Sequence, residues 1–109
     1  MKLVIAIVQD EDANALIDRL MDDNFRVTKL ATTGGFLKSG NTTLMIGVEK
    51  EKCDEVIEII EDECKTRKQI VSSPSPTTGA AGMFVPYPVE VNVGGATIFV
   101  VDVDKFHKI

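Results

Sequence analysis

The chain has 109 residues, of which 44% are hydrophobic and 27% charged, and its formal net charge is −5 with a pI near 4.8. This size and composition predict one globular domain over residues 1–109. The 12 Lys and Arg residues are scattered, whereas nucleic-acid binders normally carry a basic patch, which argues against DNA or RNA as the main partner. A small phosphorylated ligand is compatible with an acidic chain, because a few backbone N–H groups and one Arg can hold a phosphate.

The amino terminus begins with a short apolar segment. Residues 3–8 are apolar and lead directly into the acidic residues 10–12. A secretory signal needs a longer apolar stretch with a small-residue cleavage site, and a membrane-spanning helix needs about 20 apolar residues. We therefore expect a cytoplasmic protein without a membrane partner.

A strand and an amphipathic helix are the first two predicted elements. Residues 2–8 are nearly all apolar, which is typical of a buried strand. The following segment carries apolar residues at the spacing of one buried helix face. Asp10 or Asp12 is expected to cap the start of this helix, and residues 22–24 mark its end. The buried face consists of Ala13, Leu16, Ile17, Leu20 and Met21.

Two further strands follow, separated by an unusual loop. Residues 25–31 favour β-structure and place Arg26, Thr28 and Leu30 on one face, and residues 44–49 form the next strand. The loop at residues 32–43 is longer than a plain hairpin requires, which is about two to five residues. It contains three glycines but places Phe36 and Leu37 at its centre. This composition favours a surface that closes over a flat, anionic molecule.

The second helix is expected at about residues 52–65. Cys53 and Cys64 lie eleven residues apart in it, or about 16 Å along the helix axis, which is too far for a disulfide between them. Eleven steps of about 100° return both cysteines to one helix face, so we expect them to be small core residues in a reducing compartment. The only histidine is His107, and no metal site is expected.

A last strand at residues 96–103 completes the order βαββαβ. This order predicts an α+β, ferredoxin-like fold, in which an antiparallel sheet carries both helices on one face. The strands are apolar at nearly every position, as in residues 44–46 and 100–101. This pattern indicates that the second sheet face is covered by another subunit of a homo-oligomer.

A long insertion, residues 66–95, separates the second helix from the last strand. Residues 68–71 and 88–93 are expected to pair as a small antiparallel ladder. Residues 72–82 are rich in Ser, Pro, Thr and Gly, and a turn-forming, mobile segment is expected there. The apolar residues 83–87 favour a functional loop over a simple linker.

Residues around the loop at 32–43 form a candidate nucleotide site. Gly34 and Gly35 can turn backbone N–H groups toward an anion, and Arg26 supplies a planar fork suited to phosphate oxygens. Simpler alternatives stay open, because a glycine pair is most often a turn and an Arg on a strand is most often a surface charge. The other candidates are Thr28 and Asn41 for polar contacts, Phe36 and Leu37 for packing on a flat ring, and Gly47 for close approach of the backbone.

The sequence resembles a known family over almost its whole length. Residues 25–43, FRVTKLATTGGFLKSGNTT, closely resemble the signature of PII-like cyclic di-AMP receptors of the PstA/DarA type. The likeness extends from KLVIAIVQD at residues 2–10 to VVDVDKF at residues 100–106. It implies a homotrimer of ferredoxin-like, PII-like subunits, with cyclic di-AMP bound in each cleft between neighbours.

The resemblance also implies roles for individual residues. Residues 32–43 would correspond to the T-loop of PII proteins, and residues 66–95 to an enlarged B-loop. Phe99 would come from the adjacent subunit and help to enclose a base. The family has a Gln where Lys108 stands; a cation there could still meet a phosphate, but Lys108 is left out of the implied contacts. Those contacts are Asn24, Arg26, Thr28, Gly35, Phe36, Leu37, Asn41, Gly47 and Phe99.

The implied function is signalling without enzymatic activity. Binding of cyclic di-AMP would change the conformation of the two loops and so regulate a protein partner. The sequence shows no nucleophile with a placed base and no carboxylates at metal-ligand spacing, so no catalytic residue, metal or cofactor is expected. Two alternatives stay open: a PII-type sensor of another adenine nucleotide such as ATP, and an acylphosphatase-like hydrolase. The hydrolase is disfavoured because its Arg belongs beside the first strand, where residues 10–12 are acidic.

Overall fold

The computed structural model describes residues 1–30, 40–76 and 84–109, with side chains for all of these except residues 71–76 and 84–87. The mixed α+β class and the predicted order of elements are confirmed over these ranges. The elements are β1 (Lys2–Gln9), α1 (Asp10–Asp22), β2 (Val27–Leu30), β3 (Asn41–Val48), α2 (Cys53–Cys64), β4 (Arg67–Pro76), β5 (Phe84–Val93) and β6 (Ala96–Asp102), with a 3-10 turn at Lys50–Lys52 before α2.

Four strands form one antiparallel sheet in the order β2-β3-β1-β6. The central strand β1 pairs with β3 from Lys2↔Val48 to Gln9↔Asn41, and with β6 on its other side. Both helices pack on one face of this sheet. The arrangement is compatible with the predicted ferredoxin-like fold, while β4 and β5 form a separate two-stranded sheet.

The core lies between the two helices and one face of the sheet. Alternate residues of β1 and β3 point into it, because successive side chains of a strand point to opposite faces. The prediction that Met21 belongs to the buried stripe of α1 is wrong, because Met21 lies in the last turn and is 59% exposed. The fully buried residues are Val4, Ala6, Leu44 and Ile46 from the sheet, and Leu16, Leu20, Val56 and Ile60 from the helices.

The start of α1 contradicts the prediction that Asp10 or Asp12 caps it. Gln9 occupies the capping position, and its side chain makes no cap hydrogen bond to the described residues. The Asp10 carboxylate instead accepts a hydrogen bond from the Thr42 hydroxyl, and Asp12 pairs with Arg67. Partners distant in sequence therefore replace the local N–H groups that the prediction assigned to these carboxylates.

The end of α1 follows the prediction and has a defined geometry. Asn24 has a φ of 67°, in the left-handed region that Asn tolerates better than most residues. Its N–H donates to the Met21 carbonyl at 3.0 Å, and the Phe25 N–H donates to the Leu20 carbonyl at 2.9 Å. This pair of bonds is a Schellman motif. Asn24 thus ends the helix, a role that exists whether or not it also contacts a ligand.

Both cysteines lie on the buried face of α2, as predicted. Cys53 is 8% exposed and Cys64 is 1% exposed, and both are free thiols. Burial raises the pKa of the Cys64 thiol to about 11, and the carboxylates of Asp12 and Glu63 act in the same direction. At neutral pH this thiol is protonated and behaves as a small core residue.

The hairpin of β4 and β5 is longer than the predicted ladder. Its pairing extends to Pro76↔Phe84, so residues 72–76, which were expected to form a turn, are strand. The four prolines of the chain all lie in this hairpin, and Pro74 pairs with Pro86. Because proline has no N–H, this pair can occupy only positions that make no ladder bond. Prolines are compatible with β-structure there, and they remove donors from the outer edges of the hairpin.

Two features are absent from the described residues. Neither of the helices found there is long and apolar enough to cross a membrane. His, Cys, Asp and Glu side chains within the same ranges form no group of three that could hold a metal ion.

Candidate functional site

The sheet face opposite the helices is partly open within one chain. On its edge strand β6, Phe99 is 53% exposed and Val101 is 43% exposed. The register aligns Phe99 with Ile5, Ile5 with Met45, and Met45 with Thr28 across the four strands. A largely apolar row therefore crosses the whole open face, which is typical of a surface that another molecule covers.

A pocket of about 700 Å³ lies at one corner of this face. Thr28 lies on β2, Arg26 immediately precedes that strand, and Gly47 lies near the end of β3. Antiparallel pairing of β2 with β3 brings these three predicted contacts together. The complete lining is Met1, Leu3, Arg26, Thr28, Met45, Gly47, Val103, Phe106 and Lys108.

Gly47 leaves space at the pocket wall. Its neighbours Ile46 and Val48 point into the core, so position 47 faces the open side of the sheet. A Cβ placed on Gly47 would meet no atom within 4 Å among its surroundings. The fold therefore does not require glycine here, and the space that this residue leaves belongs to the pocket.

The carboxyl-terminal segment after β6 completes the pocket, although no pattern in the sequence indicates where this segment folds. The Val103 N–H donates to the Met1 carbonyl at 3.2 Å, so the segment leaves the sheet at the pocket itself. Phe106, which is 62% exposed, and Lys108 then line the pocket. An aromatic residue and a cation just beyond the last strand were the available signal in the sequence.

A second cavity, of about 410 Å³, adjoins the first. The two cavities share Met1, Arg26 and Gly47, so Arg26 lies where they meet. Asn24, another predicted contact, lines the second cavity, whose other charged lining residues besides Arg26 are Lys52, Asp23 and Glu49. Two cavities that meet at a guanidinium suit a ligand in which two ring systems are joined by anionic groups.

The charges around the pocket favour an anion. The ion pairs found among the described residues include neither Arg26 nor Lys108. The neighbouring Lys2 pairs with Asp102, and that hydrogen bond holds the pKa of the Asp102 carboxyl below its ordinary value. Asp102 is thus already matched to a cation, whereas Arg26 and Lys108 keep their charge available for phosphate oxygens.

Two other predicted contacts lie away from this pocket within one chain. Asn41 is at the opposite end of β3 from Gly47, or about 20 Å away at the usual rise of a strand. Phe99 on β6 and Thr28 on β2 are separated by three strand spacings across the sheet, which corresponds to about 14 Å. One chain therefore brings Arg26, Thr28 and Gly47 together but leaves Asn41 and Phe99 apart. Gly35, Phe36 and Leu37 lie outside the described residues, as does most of the predicted T-loop.

Comparisons with known proteins agree with this anion-binding geometry. The sequence model of a family described as cyclic-di-AMP receptor matches residues 1–109. A crystal structure of a functionally unknown protein from Pediococcus pentosaceus ATCC 25745 is 52% identical, with a TM-score of 0.76, and the match covers 99% of this chain and 96% of that one. The family match includes every strand and helix described above as well as the segment that completes the pocket. The protein belongs to the cyclic-di-AMP receptor family.

Proposed function

We propose that this protein binds cyclic di-AMP and acts as a signalling receptor without enzymatic activity or a cofactor. The observation that carries the proposal is that one pocket combines apolar walls with two cations, Arg26 and Lys108, that form no ion pair with the residues the structure describes. Cyclic di-AMP has two phosphates and two adenines, so its site needs both anion donors and flat apolar surfaces. The family match supports the same ligand.

Each group of lining residues has a distinct part in this proposal. Arg26 binds a phosphate through its planar fork, and Lys108 adds a second cation. Thr28 donates or accepts a hydrogen bond at an adenine edge. Leu3 and Phe106 pack against the faces of the base. The adjoining cavity at Asn24 accommodates part of the second half of the ligand.

A homotrimer would bring the remaining predicted contacts to the pocket. Phe99 and Asn41 lie too far from Arg26 within one chain, but both are on the exposed side of the sheet. A neighbouring subunit that covers the open face can place its Phe99 beside the base. We expect sedimentation to give about three times the mass of one chain, and a monomer would contradict the shared site.

Calorimetry with three nucleotides tests the choice of ligand. We expect cyclic di-AMP to bind with a dissociation constant near micromolar, or about −8 kcal/mol. Cyclic di-GMP and ATP should give at least about tenfold weaker binding, because their bases or their phosphate arrangement do not match the pocket. Equal binding of ATP would instead favour a PII-type sensor of that nucleotide.

Arg26→Gln tests the phosphate contact, with Arg19→Gln as the matched control. Arg19 lies on α1, where its guanidinium pairs with Asp62 and Glu63, and it is not among the lining residues of either cavity. We expect Arg26→Gln to weaken binding at least about tenfold, since it removes a charged hydrogen-bond donor. Arg19→Gln should leave the affinity unchanged, and equal effects of the two substitutions would remove Arg26 from the site.

Two further variants test the walls of the pocket. Gly47→Ala adds a methyl group that meets no protein atom within 4 Å, so the fold should be unaffected while the ligand loses space. Lys108→Gln removes the second cation and should weaken binding less than Arg26→Gln, because a flexible ammonium is a less specific phosphate partner. Unchanged calorimetric affinity in both variants would place the ligand elsewhere.

Mixed oligomers test whether two subunits share each site. Arg26→Gln and Phe99→Ala chains should each bind weakly alone. If they are unfolded together and refolded as random trimers, roughly one quarter of the sites should regain both wild-type residues from adjacent subunits. Binding sites counted by calorimetry should recover to that extent. No recovery would mean that Arg26 and Phe99 do not act at one shared site.

The regulatory part of the proposal concerns the two loops. Ligand binding is expected to change the conformation of residues 32–43 and 66–95, which then bind or release a protein partner. Hydrogen exchange measured by mass spectrometry with and without cyclic di-AMP should show protection in peptides from both segments. Protection confined to the pocket would contradict this part and leave ligand binding intact.

A further inference from the structure

Segments that are far apart in sequence meet at the junction between β1 and α1. On one side, the Thr42 hydroxyl donates a hydrogen bond to the Asp10 carboxylate. The Asp10 N–H in turn donates to the Gly40 carbonyl at 2.8 Å. Asp10 therefore holds the start of β3, where the chain leaves the segment between β2 and β3.

The same junction also holds the base of the β4–β5 hairpin. Arg67, the first residue of β4, donates to the two carboxylate oxygens of Asp12 at 2.6 Å and 3.3 Å. Gly94, just after β5, donates its N–H to the Gln9 side-chain oxygen at 2.7 Å. Both ends of the hairpin are thus bound to residues that lie within three positions of one another.

Burial makes the hairpin contact difficult to release. Asp12 is 6% exposed, and Arg67 is the partner that matches its charge among the described residues. Removing the partner of a buried carboxylate leaves an uncompensated charge, so the pair is expected to move as a unit. Asp10 and Asp12 are both in the first turn of α1, two positions apart along one backbone.

We propose that the β1–α1 junction couples Gly40 and Thr42, at the start of β3, to the β4–β5 hairpin. A displacement of Gly40 and Thr42 moves Asp10 and rotates the first turn of α1. This rotation shifts the Asp12–Arg67 pair at the base of the hairpin. The coupling is reciprocal, because it is an equilibrium property of one connected set of contacts. It goes beyond the proposed function, since it holds for the protein without any ligand.

Amide exchange measured by NMR on the ligand-free protein tests the coupling. Thr42→Val removes the hydroxyl but keeps the side-chain shape, and Arg67→Lys keeps the charge but removes the two-pronged contact. We expect Thr42→Val to speed exchange of the Gly94 and Gly95 amides at least about fivefold. Arg67→Lys should speed exchange of the Asp10 amide by a similar factor.

Control measurements separate coupling from general loosening. Arg19→Gln breaks the ion pairs between α1 and α2 and should leave the Asp10, Gly94 and Gly95 amides unchanged. Core amides of β1 and β3 should keep their wild-type rates in every variant. Effects confined to the mutated side of the junction, or equal acceleration of the core amides, would overturn the proposal.

A double variant provides an independent check. If the two anchors act independently, the effects of Thr42→Val and Arg67→Lys on the logarithm of each exchange rate will add. Coupling predicts that the second substitution has less effect once the first has released the junction. Strict additivity at the Asp10 and Gly94 amides would contradict the proposal even if each single variant behaves as expected.

Discussion

The four-stranded sheet and the β4–β5 hairpin are both antiparallel, but their surroundings differ. The sheet has two helices on one face, and Ile60 of α2 is completely buried there. In the hairpin, Ile70 is 74% exposed, and the strands contact mainly each other. Most of the stability is therefore expected from the packed layers, because apolar burial is the main favourable term in folding. The hairpin instead depends on its ladder and on the contacts at its base.

The largest expected difference between the two regions comes from the same substitution in each. Ile60→Ala removes buried methyl groups and should lower the free energy of unfolding by about 2–5 kcal/mol. Ile70→Ala removes exposed ones and should change it by less than about 0.5 kcal/mol. Urea unfolding at one fixed protein concentration measures both. Similar losses would show that the hairpin is packed against something, such as another subunit.

The base of the hairpin is the next place to test this comparison. Gly94 has a φ of 85°, and a Cβ there would lie 2.6 Å from the Lys65 carbonyl oxygen. Gly94→Ala should therefore lower the free energy of unfolding by about 2 kcal/mol or more, from strain and overlap together. At Gly40, φ is 125° but a Cβ meets nothing within 4 Å, so Gly40→Ala should lose only about 1 kcal/mol. Thermal unfolding compares the two variants. A smaller loss of stability for Gly94→Ala than for Gly40→Ala would contradict the close packing around Gly94.

The free energy of unfolding should also depend on pH through Cys64, which lies in the packed core. Its folded pKa is raised from 9.0 to about 11, chiefly by burial, so the folded state holds the thiol proton more tightly than the unfolded state. The resulting stability is complete below pH 9 and is lost as the pH rises through about 11. Unfolding free energies measured from pH 8 to 11 should fall on the order of 1–2 kcal/mol more than in Cys64→Ala. Parallel curves would show that Cys64 is more accessible than the structure indicates.

The smallest expected effect concerns the helix end beside the pocket. Asn24 is in the left-handed region, which glycine adopts without strain, so Asn24→Gly should change the free energy of unfolding by less than about 0.5 kcal/mol. If Asn24 also contacts the ligand, the same variant will weaken cyclic di-AMP binding in calorimetry. Normal affinity would limit Asn24 to its role in ending α1.

Periodicity predicted the main elements because each obeys a local rule. The helical spacing of apolar residues in α1 and α2 corresponds to real buried faces, and Cys53 and Cys64 lie where their spacing placed them. Predictions failed where packing rather than local spacing decided the outcome. Met21 fits the stripe of α1 but lies in its last turn and is 59% exposed. The hairpin was predicted too short because prolines usually end strands, whereas prolines here occupy positions that make no ladder bond, with Pro74 opposite Pro86, Pro76 opposite Phe84 and Pro88 opposite Ser72.

The candidate site was predictable only in part for a related reason. Arg26, Thr28 and Gly47 belong to adjacent strands whose pairing follows from the order of elements, so the sequence could place them together. Phe106 and Lys108 follow the last strand, and no periodic pattern shows where an irregular segment folds back. Asn41 and Phe99 are contacts implied by family resemblance, and one chain leaves them far from the pocket.

The sequence by itself determined the α+β order of elements, the buried faces, the free cysteines and the membership in a cyclic-di-AMP receptor family. These follow from local spacing and from a pattern that extends along the whole chain. Only the tertiary structure decided which partners Asp10 and Asp12 choose, how far the hairpin extends, and that the carboxyl-terminal segment closes the pocket beside Arg26. Those outcomes depend on distances between residues remote in sequence, where a charge or a hydroxyl binds whichever partner the packed layers bring within reach.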